Sequence, residues 1–155
     1  MKKILFLALC IASSVFGANG IYRDSAKGIV IDTRTGLVWQ DEPYTAAEAT
    51  AYGANTESGK VLYWSNAIAY CENLVLGGYS DWRLPNINEL KSIRDMSRSS
   101  PAIDTAFVNT ATDGYWSSTS YAADTTGAWN VYFVDGDVGY YDRGDSYYVR
   151  CVRGN

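Results

Sequence analysis

Apolar residues along this chain first alternate, then recur at helical spacing, and then alternate again. The segments Gly28-Ile29-Val30-Ile31-Asp32 and Gly36-Leu37-Val38-Trp39-Gln40 read as two short strands joined by the turn-forming Thr33-Arg34-Thr35, a hairpin. Residues 41–60 mix Ala, Thr, Glu and Gly without punctuation, and a loop holding one helical turn is expected there. Between Trp64 and Val75 the spacing of Trp64, Ile68, Cys71 and Val75 predicts an amphipathic helix with Cys71 on its buried face, ended by Gly77-Gly78. A second helix is expected after Pro85. Asn86 can cap it, Glu89 stands at capping-box spacing, and Ile87, Leu90 and Ile93 or Met96 form its inward stripe.

From Tyr115 onward the period is two. Trp129, Val131 and Phe133 share one face of a strand, which turns Asn130 and Tyr132 the other way. Asp135-Gly136 reads as a two-residue turn into Val138 to Tyr141. Tyr147 to Val152 supplies the last strand, with Val149 and Cys151 on one face. The fold class is therefore α+β, helices first and antiparallel strands after, in one domain without repeats or linkers.

The N-terminus changes the picture of where this domain works. Lys2 and Lys3 precede an apolar run from Ile4 to Val15, too short to span a bilayer, and Val15 and Gly17 suit cleavage before Ala18. Residues 1–17 are expected to be a signal peptide, and a lipoprotein reading is disfavoured because Leu9 precedes Cys10. Its removal leaves eleven bases against seventeen acids, a net charge of −6, which makes nucleic acid a poor partner. No later apolar run approaches a membrane span, so a secreted, periplasmic or cell-surface location is expected. Cleavage leaves Cys71 and Cys151 in an oxidising compartment, where a disulfide is the expectation and two free buried thiols the alternative.

Four blocks occur in order: Asp32-Thr33-Arg34-Thr35-Gly36-Leu37-Val38-Trp39-Gln40, Gly77-Gly78-Tyr79-Ser80-Asp81-Trp82-Arg83-Leu84-Pro85-Asn86, Tyr115-Trp116-Ser117-Ser118-Thr119 and Tyr148-Val149-Arg150-Cys151-Val152-Arg153-Gly154. Together they resemble the Lcl C-terminal domain family, a bacterial group related to the formylglycine-generating sulfatase-modifying fold, over residues 18–155. The resemblance implies a C-type-lectin-like fold with two helices flanking a small twisted antiparallel sheet and the termini close together. It also implies a surface or secreted location and, in collagen-like adhesins of the family, attachment to glycosaminoglycans. This chain has no collagen-like tract and is acidic, so the fold is carried over and that ligand is not.

Candidate chemistry is limited by what is missing. The chain has no histidine, which removes the commonest general base and metal ligand. The cysteines look structural, no catalytic residue is assigned, and the protein is expected not to be an enzyme. The cluster Asp81-Trp82-Arg83-Leu84-Pro85 is read as structural. Asp81 and Arg83 pair or bind loop carbonyls, Trp82 fills the core and Pro85 opens the next helix; Trp39, Trp116 and Trp129 are likewise assigned to packing.

Asp135, Asp137, Asp142 and Asp145 crowd the last hairpin, which makes calcium a minority option, although neither an EF-hand spacing nor the lectin-type calcium motif is present. No cofactor is otherwise expected. The stronger signal is compositional: Tyr115, Tyr121, Tyr132, Tyr140, Tyr141, Tyr147 and Tyr148 crowd the last third among Ser, Thr, Gly and Asp, the composition of adaptable recognition surfaces. Tyr121, Asn130, Tyr132, Tyr140, Tyr141, Asp142 and Tyr147 are the candidate ligand contacts. An exported ligand-binding or adhesion module for an extracellular or envelope ligand, protein or carbohydrate, is the function expected. A glycosaminoglycan-type lectin using Arg143, Arg150 and Arg153, a diversified binder and a vestigial enzyme are the alternatives.

Overall fold

A computed structural model describes residues 20–154. The expected signal peptide and Cys10 lie outside these residues. Three strands lead the described chain: β1 (Ile21–Asp24), β2 (Ile29–Asp32) and β3 (Leu37–Gln40). Helix α1 (Ala46–Ala54), strand β4 (Val61–Leu62) and helices α2 (Trp64–Glu72) and α3 (Ile87–Ser92) follow. The last third holds β5 (Gly114–Ser120), β6 (Gly127–Tyr132), β7 (Val138–Asp142), β8 (Tyr147–Tyr148) and β9 (Val152–Arg153). The described residues are thus α+β, with short helices, two sheets and one disulfide.

The sheets run β1-β2-β3-β9 and β4-β8-β5-β6-β7. This departs from a single antiparallel sheet flanked by two helices, and one pairing, β5 with β8 at Tyr115 and Tyr148, is parallel. The expected last strand is split between the sheets: β8 pairs with β4 and β5, while β9 pairs with β3. Its alternation nevertheless survives the split. Tyr147, Val149 and Cys151 enter one core with Trp82 and Trp116, and Tyr148 and Val152 enter the other with Trp39, Tyr115 and Phe133. Every second residue therefore anchors a different cluster, which is why one short segment can hold both together.

The same two-sided burial governs β5 and β6. Tyr115 and Val131 face the first core, while Trp116 and Ala128 face the second. An antiparallel strand with one wet face alternates apolar and polar residues, but a strand covered on both faces does not. Asn130 accordingly lies fully buried, opposite Trp116 in the register, not at the surface.

The early hairpin forms as expected, with Asp32 holding its turn by accepting from the Arg34 backbone N–H at 2.9 Å. Helix α1 replaces the expected loop. Its apolar stripe is too weak to read, but Thr45 and Glu48 close a capping box in which Thr45 Oγ1 accepts from Glu48 N–H at 3.2 Å. Helix α2 stops at Glu72, a turn short of expectation, because Asn73 Nδ2 donates back to the Ala69 carbonyl at 2.7 Å. Val75 is consequently 75% exposed instead of packed. Gly77 and Gly78 serve a later turn, where their positive φ values of 63° and 86° let Leu76 and Tyr79 exchange backbone bonds of 3.0 Å. Helix α3 has the expected Asn86–Glu89 capping box, and its stripe uses Leu90 and Ile93 while Met96 stays exposed. The turn after β6 is longer than two residues. Phe133 leaves the strand to bury its ring, and Tyr132 N–H meets the Asp137 carbonyl at 2.8 Å across the closed loop.

Cys71 on α2 and Cys151 between β8 and β9 form a disulfide, with Cα atoms 5.4 Å apart. Both are fully buried in the second core. Among the described residues no helix is long and apolar enough to cross a membrane.

Candidate ligand-binding surface

The residues from Asp81 to Pro85 are engaged within the fold, and Arg83 donates to the Gly154 carbonyl at 3.3 Å, the expected loop-carbonyl contact. Asp81 and Arg83 do not pair with each other. Arg153 grips Asp81 through two bonds of 2.6 and 2.9 Å and lies over the Tyr79 ring at 3.9 Å. Arg83 grips Glu89 through two bonds of 2.7 and 2.6 Å and exchanges backbone bonds with Val152. Trp82 is buried and donates its indole N–H to the Tyr79 carbonyl at 3.2 Å. Pro85 precedes the helix cap and accepts from Ser118 N–H at 2.7 Å, tying the block to β5. Trp39 and Trp116 are core residues, and the Trp116 indole donates to the Leu62 carbonyl at 3.0 Å.

A second centre, which the sequence pattern does not reveal, surrounds Arg150. Arg150 lies buried between Phe107 and Tyr115, its guanidinium 4.8 and 5.6 Å from their ring centres. It reaches the buried Asp41 carboxylate at 3.4 Å, and Arg23 meets the same carboxylate at 2.7 Å. It also donates to the Asn109 carbonyl at 2.5 Å and to Thr110 Oγ1 at 2.9 Å. Asp41 follows Gln40 directly, and only the apolar Tyr148 and Val152, which share Arg150's side of the alternating segment, hint that this arginine belongs inside.

The β6–β7 hairpin is the other feature, and it places aromatic groups on both faces of one sheet edge. Trp129 pairs with Tyr140 across the ladder. Tyr121, just after β5, stacks on Tyr140 with ring centres 3.7 Å apart and planes within 12°. Trp129 meets both rings edge-on at 5.2 and 5.8 Å. Trp129 is only half-buried and Tyr140 is 49% exposed, so this triad stands outside both cores. The packing role expected for Trp129 is therefore local to this group.

On the opposite face Tyr132, Tyr141 and Tyr147 meet at centre distances of 5.6, 6.1 and 5.2 Å, and the Tyr132 and Tyr147 hydroxyls lie 3.2 Å apart. Only Tyr141 is open to solvent. Tyr132 is half-buried and Tyr147 buried, so neither presents the outward face expected. Burial, with the Tyr141 hydroxyl beside it, pushes Tyr132 up to about 12, and burial raises Tyr147 further. Asn130 lies beneath this face with both amide atoms unpartnered.

Seven candidate contacts thus divide. Tyr121, Tyr140, Tyr141 and Asp142 reach the surface of the hairpin, Tyr132 borders it, and Asn130 and Tyr147 sit inside because the sheet is covered on that side.

The four acids of the hairpin do not converge. Asp135 accepts from Asp137 N–H at 3.0 Å, Asp142 from Gly144 N–H at 2.7 Å and Asp145 from Asn55 Nδ2 at 3.1 Å, each serving a separate turn or loop. Among the described residues no three acids, cysteines or histidines gather as a metal site. The three arginines do not form a patch either. Arg150 is buried, Arg153 is bound to Asp81, and Arg143 lies on the Trp64 ring at 4.1 Å while donating to the Gly127 carbonyl and Ser120 Oγ.

Comparison with known proteins accords with this frame. No curated protein matches the chain. The family model described as the Lcl C-terminal domain matches residues 28–153, from β2 to β9. On that match, which spans most of the sequence and both sheets, the chain belongs to the Lcl C-terminal domain family.

Proposed function

We propose that this protein is an exported, non-catalytic ligand-binding or adhesion module that contacts its partner through the β6–β7 hairpin. The observation that carries this reading is the Tyr121–Trp129–Tyr140 triad, three large rings held in fixed mutual geometry at a sheet edge and outside both cores. Rigid aromatic area of this kind is what binding surfaces use as anchors, because little side-chain freedom is lost on contact. The missing histidine and the bonding of Cys71 to Cys151 support a role without catalysis. The signal-like first 17 residues and the disulfide support export. A C-type-lectin-like arrangement is supported by β1 and β9 lying in one sheet and by the disulfide that joins α2 to the closing segment.

Within this reading a polyanionic glycosaminoglycan is disfavoured, since the arginines that would hold it are buried or engaged. A neutral saccharide stacked on the exposed rings remains the carbohydrate alternative. The test is a combined glycan and protein array screened with the purified protein, with and without calcium. Calcium-independent hits that Tyr140→Ala loses are expected. Calcium-dependent sugar hits indifferent to Tyr140→Ala would move the site elsewhere.

A further inference from the structure

Among the described residues the outer edge of the five-stranded sheet is open, because β7 pairs with β6 on one side only. The direction of its backbone groups follows from the two ends of the ladder. Tyr132 N–H donates to the Asp137 carbonyl at 2.8 Å and Arg143 N–H to the Thr126 carbonyl at 2.9 Å. Bonded and non-bonded pairs alternate in an antiparallel ladder, so Asp137, Gly139, Tyr141 and Arg143 turn their backbone groups toward β6. Val138, Tyr140 and Asp142 turn theirs away from it. Among the described residues the one backbone bond on this outer side is from Asp145 N–H to the Asp142 carbonyl at 2.9 Å. That leaves three N–H groups and the carbonyls of Val138 and Tyr140 facing outward.

Natural edge strands are usually blunted by lysine, proline, a bulge or a covering element. Strand β7 reads Val-Gly-Tyr-Tyr-Asp, runs in unbroken register with β6, and is exposed at four of its five positions. We propose that β7 is a strand-addition site for an extended peptide with two cations flanking four uncharged residues. The proposal rests on the hairpin being the binding surface, and it names the kind of partner.

The charge spacing follows from the strand itself. Asp142 and Asp137 are exposed at its two ends and on opposite faces. An antiparallel peptide whose first cation lies opposite Asp142 brings its sixth residue opposite Asp137. Between them, the third residue faces Tyr140 and the Tyr121 ring stacked on it, and the fourth faces Gly139 beside the Tyr141 ring. Backbone bonds would supply attachment, while the two carboxylates and the aromatic faces would select the side chains.

The test is a titration of the full-length protein with the capped peptide Lys-Thr-Val-Phe-Thr-Lys, followed by backbone amide shifts and calorimetry. Saturable binding that moves the Val138, Tyr140 and Asp142 amides is expected. N-methylation of the peptide valine, whose N–H faces the Tyr140 carbonyl, should weaken binding about tenfold, as one lost backbone bond implies. N-methylation of the phenylalanine, whose N–H faces solvent, should leave affinity unchanged. Val138→Pro removes an outward N–H while sparing the β6 ladder, and should weaken binding without lowering the melting temperature. Replacing both lysines by glutamate should abolish binding. Absence of saturable binding, or equal losses from the two N-methylated peptides, overturns the proposal. If Val138→Pro is neutral while Tyr140→Ala abolishes binding, the surface stands and strand addition is rejected; if both are neutral, the surface reading fails with it.

Discussion

Trp82 and Tyr140 are both large aromatic residues near polar neighbours, and the fold uses them in opposite ways. Trp82 is 3% exposed, while Tyr140 keeps 49% of its surface in solvent. Truncating a buried aromatic costs roughly 3–5 kcal/mol, a large share of the stability of a domain this size. Trp82→Ala should therefore lower the melting temperature sharply, whereas Tyr140→Ala should melt close to the parent; differential scanning calorimetry of the two variants checks this. Tyr132→Ala should fall between them, because its ring contacts Tyr141 and Tyr147 but remains half-open. Alternation did place Trp129, Val131 and Phe133 on one face. Which face was wet could not be read from it, because residues far away in sequence, Trp82 and Cys151 among them, cover the other side. Asn130 is buried for that reason, and the buried Arg150 becomes intelligible only once Asp41 is beside it.

Elements show the same division between local and distant causes. Helix α3 was legible because Asn86, Glu89, Leu90 and Ile93 carry cap and stripe within one short segment. Helix α1 carries only the cap, and the carboxylate of that cap has a measurable consequence. Burial pushes Glu48 upward, but the backbone N–H groups of Thr45 and Lys60 and the Lys60 ammonium hold it below its usual range. A depressed folded value contributes stability that is present above the unfolded value, near 4.3, and is lost as pH falls through the folded one. Glu48→Gln should therefore flatten the loss of stability on acidification below pH 4, as read from urea midpoints against pH. The disulfide makes a separate claim on elements, since it ties α2 to the closing segment over a sequence separation of 80. The chain-entropy argument assigns such a loop about 4 kcal/mol, so Cys71→Ser should lower the denaturant midpoint substantially while leaving far-UV dichroism native in water.

At the scale of the whole molecule, two cores share the strands β5, β6 and the segment from Tyr147 to Val152, and tyrosine hydroxyls lie within or beside both. Burial raises Tyr44 and Tyr115 in the first core, and it raises Tyr52, Tyr132 and Tyr147 around the second. These groups stay protonated longer in the folded chain than in the unfolded one. Their contribution is fully present below pH 10, the unfolded value, and is lost as pH rises through the folded values. Stability should therefore fall steeply above pH 10, with tyrosinate absorbance appearing together with unfolding; a spectrophotometric titration beside circular dichroism checks the coincidence.

The two-core plan also explains why the hairpin is exposed. Both cores close at β6, so β7 extends past them with an aromatic group on each face and nothing across its outer edge among the described residues. The richness of this region in tyrosine was legible in the sequence; which rings remained outside depended on how the sheets are covered. The most direct measurement of the central claim pairs array binding with thermal melting for the parent and Tyr140→Ala. The account predicts that the variant keeps the parental melting temperature and loses the array hits. Undiminished binding by a fully folded Tyr140→Ala protein would contradict it.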